Sequence, residues 1–159
     1  MSSSIGPRLR RRWQLLGGSR GGRWLFSLGL ARSVPYTGTL GARVQLLEPG
    51  HCIVTLRDRR RVRNHLHSVH AMALANLGEL ATGLALLSGL PQGMRGILTG
   101  YRIDYLKKAR GCLHAECRCA VPAAVAAQAW QVDGEIRNAA AEVVARVSAS
   151  WQLGPERAA

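Results

Sequence analysis

The feature that most constrains the fold is an apolar run of small residues, Ala71 to Leu90, which contains a single carboxylate, Glu79. Its apolar residues lie all round rather than on one stripe, and its many alanines and glycines leave room for close neighbours. The run therefore predicts a buried helix that other elements wrap closely. Ser68 is its predicted N-cap, and Ser88-Gly89-Leu90-Pro91 ends it after about five turns.

The same run is long enough for a transmembrane segment, but four polar side chains inside it would be costly in lipid: Asn76, Glu79, Thr82 and Ser88. A buried helix of a globular domain explains it better. Carboxylates are almost never fully buried without a partner or a purpose, so Glu79 is a candidate functional residue. The alternative is a structural acid paired with an arginine or a backbone group.

The composition is that of one globular domain, because 159 residues with 47% hydrophobic content supply enough chain for a core. The four cysteines lack the paired spacing of a zinc site, and we interpret them as small reduced core residues: Cys52, Cys112, Cys117 and Cys119. The histidine cluster His65-x-His67-x2-His70 has no carboxylate in its segment and fits no recognised zinc pattern. No metal is predicted.

Positive charge is concentrated in residues 1–65, where thirteen basic residues and two acids give +11 of the total +13. Such a surface attracts polyanions, and nucleic acid, an anionic membrane, a polyphosphate cofactor and an acidic carrier protein all satisfy it. Nucleic acid is the least favoured, because only 5% of residues are aromatic and no aromatic platform is interleaved with the basic residues.

The N-terminal part, residues 1–35, is predicted to be a basic appendage. Residues 8–16 form a short basic amphipathic segment, and the glycine-rich residues 17–22 indicate a flexible linker. The apolar side chains of the appendage could touch an anionic membrane or pack on the protein itself. The start loosely resembles a twin-arginine signal or an arginine-rich transit peptide, and a cytoplasmic location is the default expectation.

Period-two alternation predicts six strands around the helix. Residues 43–46 and 52–56 alternate on either side of Glu48-Pro49-Gly50, which indicates a hairpin. Four more stretches follow the helix: 97–105, 113–121, 125–135 and 143–151. The order predicts an α+β domain in which a curved antiparallel sheet encloses one long central helix.

Three local signatures resemble those of hotdog-fold thioesterases, in particular the phenylacetate-type acyl-CoA thioesterases and a related family of uncharacterised domains, DUF4442. They are Asn64-x5-His70-Ala71, then Glu79 nine residues after His70, and the Tyr105-Leu-Lys-Lys-Ala-Arg-Gly111 turn. The resemblance covers about residues 36–153, which would be the hotdog domain, with residues 154–159 as a tail. Ala71 and Met72 stand where the family has glycines, and Lys108 where proline is common.

The resemblance implies an acyl thioester hydrolase acting on acyl-CoA or acyl carrier protein, with coenzyme A as part of the substrate and no further cofactor. Glu79 would be the general base or nucleophile, and the Ala71 amide at the helix start would stabilise the oxyanion. Asn64 could orient the water or the carbonyl, and Thr82 could hold the carboxylate or the water.

Helix geometry separates His70 from Glu79, because nine residues span about two and a half turns and roughly 13 Å along the axis. The two side chains point to opposite sides, so one chain cannot bring them together. The resemblance implies a back-to-back homodimer, in which Asn64 and His70 of one chain approach Glu79 of the other. A dimer of dimers stays open.

Two groups of basic residues could bind the phosphates of coenzyme A or the acidic helix of a carrier protein: Arg61 and Arg63 before the helix, and Lys107, Lys108 and Arg110 after strand 97–105. The acyl chain would lie beside the helix, among Leu74 and Leu77. Two other hypotheses remain: a non-catalytic binder of acyl-CoA or acyl carrier protein with the same fold, and a nucleic-acid or membrane-surface binder using the basic half.

Overall fold

Six antiparallel strands curve around one long helix in the computed structural model, which describes residues 4–123 and 125–156. The helices are α1 (Ile5–Leu16), α2 (Arg20–Ser33), α3 (Pro35–Gly38) and α4 (Ala71–Gly89). The strands are β1 (Arg43–Glu48), β2 (His51–Leu56), β3 (Met94–Tyr105), β4 (Leu113–Arg118), β5 (Gln128–Arg137) and β6 (Val143–Pro155). Their spatial order is β1-β2-β4-β5-β6-β3, and every neighbouring pair is antiparallel. The predicted α+β architecture is confirmed.

The central helix α4 has the predicted length but begins two residues later than the Ser68 cap requires. Its N-cap is His70, whose Nδ1 accepts a hydrogen bond from the Met72 amide at 3.1 Å. Ser68 is not the cap, because its hydroxyl donates to Asn64 Oδ1 in the preceding loop. By length and composition α4 could cross a membrane, yet 56% of its most apolar window is buried within the protein. It is the core helix of the fold.

The six predicted strands form, with register irregularities in the β1–β2, β3–β6 and β5–β6 pairs, and most of their bounds lie one to four residues from the predicted ones. The β1–β2 hairpin forms as expected, and Gly50 occupies its turn with φ +77°, a left-handed conformation that favours glycine. Strand β4 ends at Arg118 rather than residue 121, and β5 begins at Gln128 rather than 125. Pro122 lies between them and has no N–H to donate to a ladder.

The N-terminal residues form two packed helices, so the expectation of a flexible linker over residues 17–22 is wrong. The side chain of Ser19 caps α2 by accepting from the Gly22 amide at 3.0 Å. A Cβ on Gly22 would lie 2.0 Å from the Leu16 carbonyl oxygen, so this glycine permits close approach of the two helices. Trp13 and Phe26 meet edge-to-face at 5.0 Å, and Phe26 is buried.

The cysteines divide into core and surface positions. Cys52 and Cys117 are buried in the sheet as predicted, Cys119 is half-buried, and all four thiols are free. Cys112 is exposed in the loop between β3 and β4, so the expectation that it belongs to the core is wrong. Burial raises the pKa of the Cys52 thiol far above its ordinary value, which makes it an inert packing residue.

Candidate functional site

Glu79 lies half-buried on α4, and its carboxylate has no hydrogen-bond or ion-pair partner within residues 4–123 and 125–156. Burial raises the pKa of this carboxyl above its ordinary value of 4.5. Its Oε1 lies 3.6 Å from the point that a Cβ on Gly83 would occupy, and Trp151 Cζ2 lies 3.4 Å from the same point. The carboxylate therefore extends along the helix toward an aromatic wall rather than toward a counter-charge.

Two tyrosines of β3 make hydrogen bonds to backbone carbonyls in the first half of α4. Tyr101 donates to the Ala75 carbonyl at 2.9 Å, and Tyr105 donates to the Ala71 carbonyl at 3.0 Å. Burial, with the nearby charge of Glu79 as a smaller contribution, raises the pKa of Tyr101. Both tyrosines are therefore neutral donors at physiological pH, and they fix the strand beside the candidate acid.

The start of α4 leaves one backbone donor free, as the oxyanion hypothesis requires. His70 Nδ1 accepts from the Met72 amide, whereas the Ala71 amide has no acceptor among the described residues. Ala71 is helical, and the non-glycine residues with positive φ in the part of the chain that is described are His67 and Ala141. Position 71 therefore needs no glycine for its conformation.

Asn64 and Thr82 are engaged in local hydrogen bonds. Asn64 Oδ1 accepts from the amides of Leu66 and Ser68 and from the Ser68 hydroxyl, which organises the loop before α4. Thr82 is fully buried, and its hydroxyl donates to the Gly78 and Glu79 carbonyls of its own helix. Neither side chain makes a hydrogen bond to the carboxylate of Glu79.

The helix keeps His70 and Glu79 apart within one chain. His70 is the N-cap of α4, and Glu79 lies about two and a half turns toward its C-terminal end, so the two side chains face different sides of the helix. Within one chain the structure thus gathers the loop of Asn64, His70 and Ala71 at one end of α4 and leaves Glu79 near the middle.

Of the five predicted phosphate-binding residues, Arg61 and Arg63 line a cleft at the N-terminal end of α4, and several of the five are already paired. Arg63 binds Asp58 at 2.6 Å and holds the pKa of that carboxyl below its usual value. Lys107 binds Glu142 at 2.6 Å, and Arg110 donates to two carbonyls of the loop before the helix. Arg61 and Lys108 have no acceptor among the described side chains and carbonyls.

Two hollows lie one after the other along α4. The first, the basic cleft, has a volume of about 500 Å³ and is lined by residues that include Arg61, Arg63, His70 and Asn76. The second, the apolar cavity, has a volume of about 140 Å³ and begins at Glu79. Asn76 and Glu79 are one helical turn apart, so the carboxylate stands at the boundary between a cationic hollow and a hydrophobic one.

Sequence reasoning missed one wall of the apolar cavity, because that wall comes from the N-terminal helices that it assigned to an appendage. Leu9 of α1 and Leu30 of α2 line the cavity opposite Leu80 and Leu84 of α4. The apolar spacing of residues 24–34 was the available signal. Leu74 and Leu77, the residues expected beside the acyl chain, are closed into the core and line neither hollow.

No group of three or more metal-ligating side chains occurs among the described residues. His65 and His67 are exposed loop residues, and His67 has φ +54° in the tight turn before α4.

Comparison with known proteins places this arrangement in a family. The model of the family described as "Domain of unknown function (DUF4442)" matches residues 22–153. The chain belongs to the DUF4442 family. A comparison with curated proteins found no match.

The solved structures most useful for comparison share the fold of this DUF4442 protein. The structural genomics protein APC5556 is 25% identical, with a TM-score of 0.77 over 93% of this chain and 98% of that one. PA5026 from Pseudomonas aeruginosa, a protein of unknown function described as a probable thioesterase, is 20% identical, with a TM-score of 0.71 over 79% and 91%. A hypothetical thioesterase from Streptococcus pneumoniae, solved with coenzyme A, is 19% identical, with a TM-score of 0.66 over 80% and 99%. The predicted hotdog fold is confirmed.

Proposed function

We propose that the protein is an acyl thioester hydrolase that acts on an acyl-CoA or on acyl carrier protein. The observation that carries the proposal is the position of Glu79: a carboxylate with a raised pKa and no partner in the described part of the chain, between a basic cleft and an apolar cavity. An acyl thioester has the same order of parts, with phosphate at one end, hydrocarbon at the other and the reactive carbonyl between. The thioesterases among the structural neighbours support the proposal.

In the proposed reaction Glu79 acts as general base on a water molecule. The carboxylate takes a proton from the water while the water oxygen bonds to the carbonyl carbon of the thioester. The carbonyl oxygen then becomes an oxyanion. The Ala71 amide donates to this oxyanion. The C–S bond then breaks, the carboxylic acid product forms, and the leaving sulfur takes the proton back from Glu79. Direct attack by the carboxylate, giving an anhydride that water opens, is the nucleophilic form of the same role.

The proposed site needs two copies of the chain, because Glu79 and the Ala71 amide of one helix cannot reach one carbonyl. A two-fold dimer that places Ala71 of one chain opposite Glu79 of the other completes two sites at once. Strand β3 supports such pairing: it is an edge strand of twelve residues, and Ile97 and Tyr105 on it are about half exposed. Sedimentation at working concentrations tests this, and a monomer with full activity would contradict it.

In such a dimer each Glu79 keeps the basic cleft and the apolar cavity of its own chain on either side. The phosphates of the carrier would then bind the subunit that supplies Glu79, through Arg61 and Lys108 with added charge from the Arg63–Asp58 pair, while the other subunit supplies the amide. Lys107, in its ion pair with Glu142, and Arg110, hydrogen-bonded to the loop before α4, would add positive charge near the phosphates. The Streptococcus pneumoniae neighbour solved with coenzyme A supports this partner class.

The test is thiol release from a panel of acyl-CoA lengths by wild type and Glu79→Gln. The amide keeps the shape of the side chain but cannot take a proton, so we expect activity to fall on the order of 10²–10⁴-fold. Glu48→Gln is the matched control, because Glu48 is an exposed acid outside both hollows, and full activity is expected. Undiminished turnover by Glu79→Gln would refute the role of Glu79.

A second candidate function is a non-catalytic binder of acyl-CoA or acyl carrier protein. The observation that favours it is the local bonding of Asn64 Oδ1 and the Thr82 hydroxyl, which leaves two expected active-site groups occupied by the backbone. Acyl-CoA binding measured by calorimetry, without thiol release from any member of the panel, would establish this function instead.

A further inference from the structure

The N-terminal helices do more than cover the core, because one side of the apolar cavity belongs to them. Ile5 and Leu9 of α1, Leu30 and Ala31 of α2 and Val34 line the cavity from one side. The second half of α4 forms the opposite side. Without residues 5–42 this part of the central helix would be an open surface.

The lining selects for a hydrocarbon. Among residues 4–123 and 125–156, Glu79 is the only charged side chain in the wall, and it stands at one end. Ser27 is polar, but its hydroxyl already donates to the Arg23 carbonyl at 2.8 Å and accepts from the Val44 amide at 3.0 Å. Thr37 adds one hydroxyl that has no hydrogen bond among the described residues. Beyond that hydroxyl and Glu79 the wall is apolar, so a ligand with several polar groups would lose its hydration there without compensation.

The volume fits a small occupant. The cavity measures about 140 Å³, and an engineered apolar cavity of roughly 150 Å³ binds benzene. About six carbon atoms, as a ring or a short chain, therefore fill the space. A longer chain would have to displace wall residues, which close-packed interiors resist.

The charge of Glu79 discriminates between a thioester substrate and the carboxylate that its hydrolysis produces. Glu79 has no counter-charge among residues 4–123 and 125–156, so a second carboxylate beside it would be repelled. A neutral thioester carbonyl meets no such penalty. The site thus favours the substrate over the carboxylate product of its hydrolysis.

We infer that the N-terminal helices of this protein form the acyl-tail pocket of its thioester site, and that the pocket takes an acyl group with about six carbons beyond the carbonyl. This inference rests on the proposed function for the thioester but not on catalysis. The acid and the tail pocket come from one chain, and the length of tail accepted is set by the space between α2 and α4.

The experiment changes the pocket in both directions and measures the chain-length profile. In wild type, kcat/KM for acyl-CoA should rise about fourfold with each added methylene until the pocket is full, and then fall. Leu30→Ala removes three carbons from the wall, so the optimum should move about two to three carbons longer. Ala31→Leu adds the same volume and should move the optimum shorter.

Leu25→Ala is the matched control, because Leu25 lies on the same helix, is 49% exposed and does not line the cavity. Its profile should equal that of wild type. Identical optima in wild type, Leu30→Ala and Ala31→Leu would overturn the inference, and so would a shift in Leu25→Ala as large as that in Leu30→Ala. Opposite shifts in the two pocket variants cannot come from partial unfolding.

A binding measurement keeps this result separate from the proposed hydrolysis. Calorimetry with acyl-CoA of each length on Glu79→Gln, with and without Leu30→Ala, reports the pocket when turnover is absent. Length-dependent binding that shifts with Leu30→Ala supports the pocket even if wild type releases no thiol. Binding that is independent of tail length refutes the pocket even if hydrolysis is confirmed.

Discussion

The two faces of α4 differ more than any other two surfaces of the molecule. The buried face, Leu74, Leu77, Ala81 and Ala85, is closed into the core. The outer face, Met72, Asn76, Glu79, Leu80 and Gly83, lies on the other side of the same helix and ranges from buried to 58% exposed.

The buried face of α4 serves stability, and the outer face carries the candidate chemistry. Packing alone accounts for the buried face, whereas nothing in the core requires an acid or an amide on the outer face. The N-terminal helices cover only the second half of the outer face, which leaves Glu79 where covered and open helix meet.

The sharpest way to test the contrast is truncation of one apolar side chain on each face. Leu77→Ala should lower the free energy of unfolding by about 2–5 kcal/mol, because Leu77 is fully buried and the change leaves a cavity. Met72→Ala, on the outer face, should cost less than about 1 kcal/mol in the monomer. Urea denaturation of both variants is the measurement. Equal losses would show that the two faces are packed alike.

A pair of glycines on α4 gives the next largest effect. A Cβ on Gly78 would lie 2.6 Å from Tyr101 Oη and from Val147 Cγ1, whereas the nearest atom to a Cβ on Gly83 is Trp151 Cζ2 at 3.4 Å. Gly78→Ala should therefore destabilise by about 1–3 kcal/mol. Gly83→Ala should gain up to about 1 kcal/mol of helix propensity. Thermal unfolding distinguishes them, and a stabilised Gly78→Ala would contradict the packing described.

Arg10 connects the N-terminal helices to the end of α4. Its guanidinium donates to the carbonyls of Ser88 and Leu90 at 2.5 and 3.2 Å, where the helix leaves carbonyls unpaired. Arg10→Ala should cost about 1–2 kcal/mol in urea denaturation. Arg11→Ala, an exposed neighbour with no acceptor among the described residues, is the control and should change little. A loss for Arg11→Ala as large as that for Arg10→Ala would indicate a general charge effect instead.

The smallest effect is the pH dependence that Glu79 adds to the outer face. Its pKa is raised by burial, so between the unfolded and folded pKa values the native state holds a proton that the unfolded state has lost. The free energy of unfolding should therefore decrease as the pH rises from about 4.5 through the folded pKa. Glu79→Gln should remove that decrease. If the difference in stability between wild type and Glu79→Gln does not change with pH, the carboxyl is not desolvated.

The elements with strong periodicity could be predicted from sequence, and those that depend on competition between contacts could not. Helix α4 and the β1–β2 hairpin form where their patterns predict them, whereas strand β3 departs from strict alternation, because a register irregularity lies between Leu98 and Gly100. The start of α4 differs from the predicted one, because Asn64 takes the Ser68 hydroxyl and leaves His70 as the cap. The linker prediction failed because Gly22, a poor helix residue by propensity, is needed for close packing of α2 against Leu16.

The candidate site divides in the same way. Glu79 could be identified from sequence because a lone acid in an apolar run is costly whatever surrounds it, and its distance from His70 follows from helix geometry alone. The local hydrogen bonds of Asn64 and Thr82 could not be predicted from sequence, since each of these side chains has several backbone groups within reach.

The sequence by itself determined that a long apolar helix carries one acid and that a period-two sheet encloses it, because both follow from local spacing and the cost of exposing apolar surface. Only the tertiary structure decided where that acid lies relative to its surroundings. The apolar cavity is the space left between α1, α2 and α4, and such a space depends on how whole side chains pack across elements that are distant in sequence.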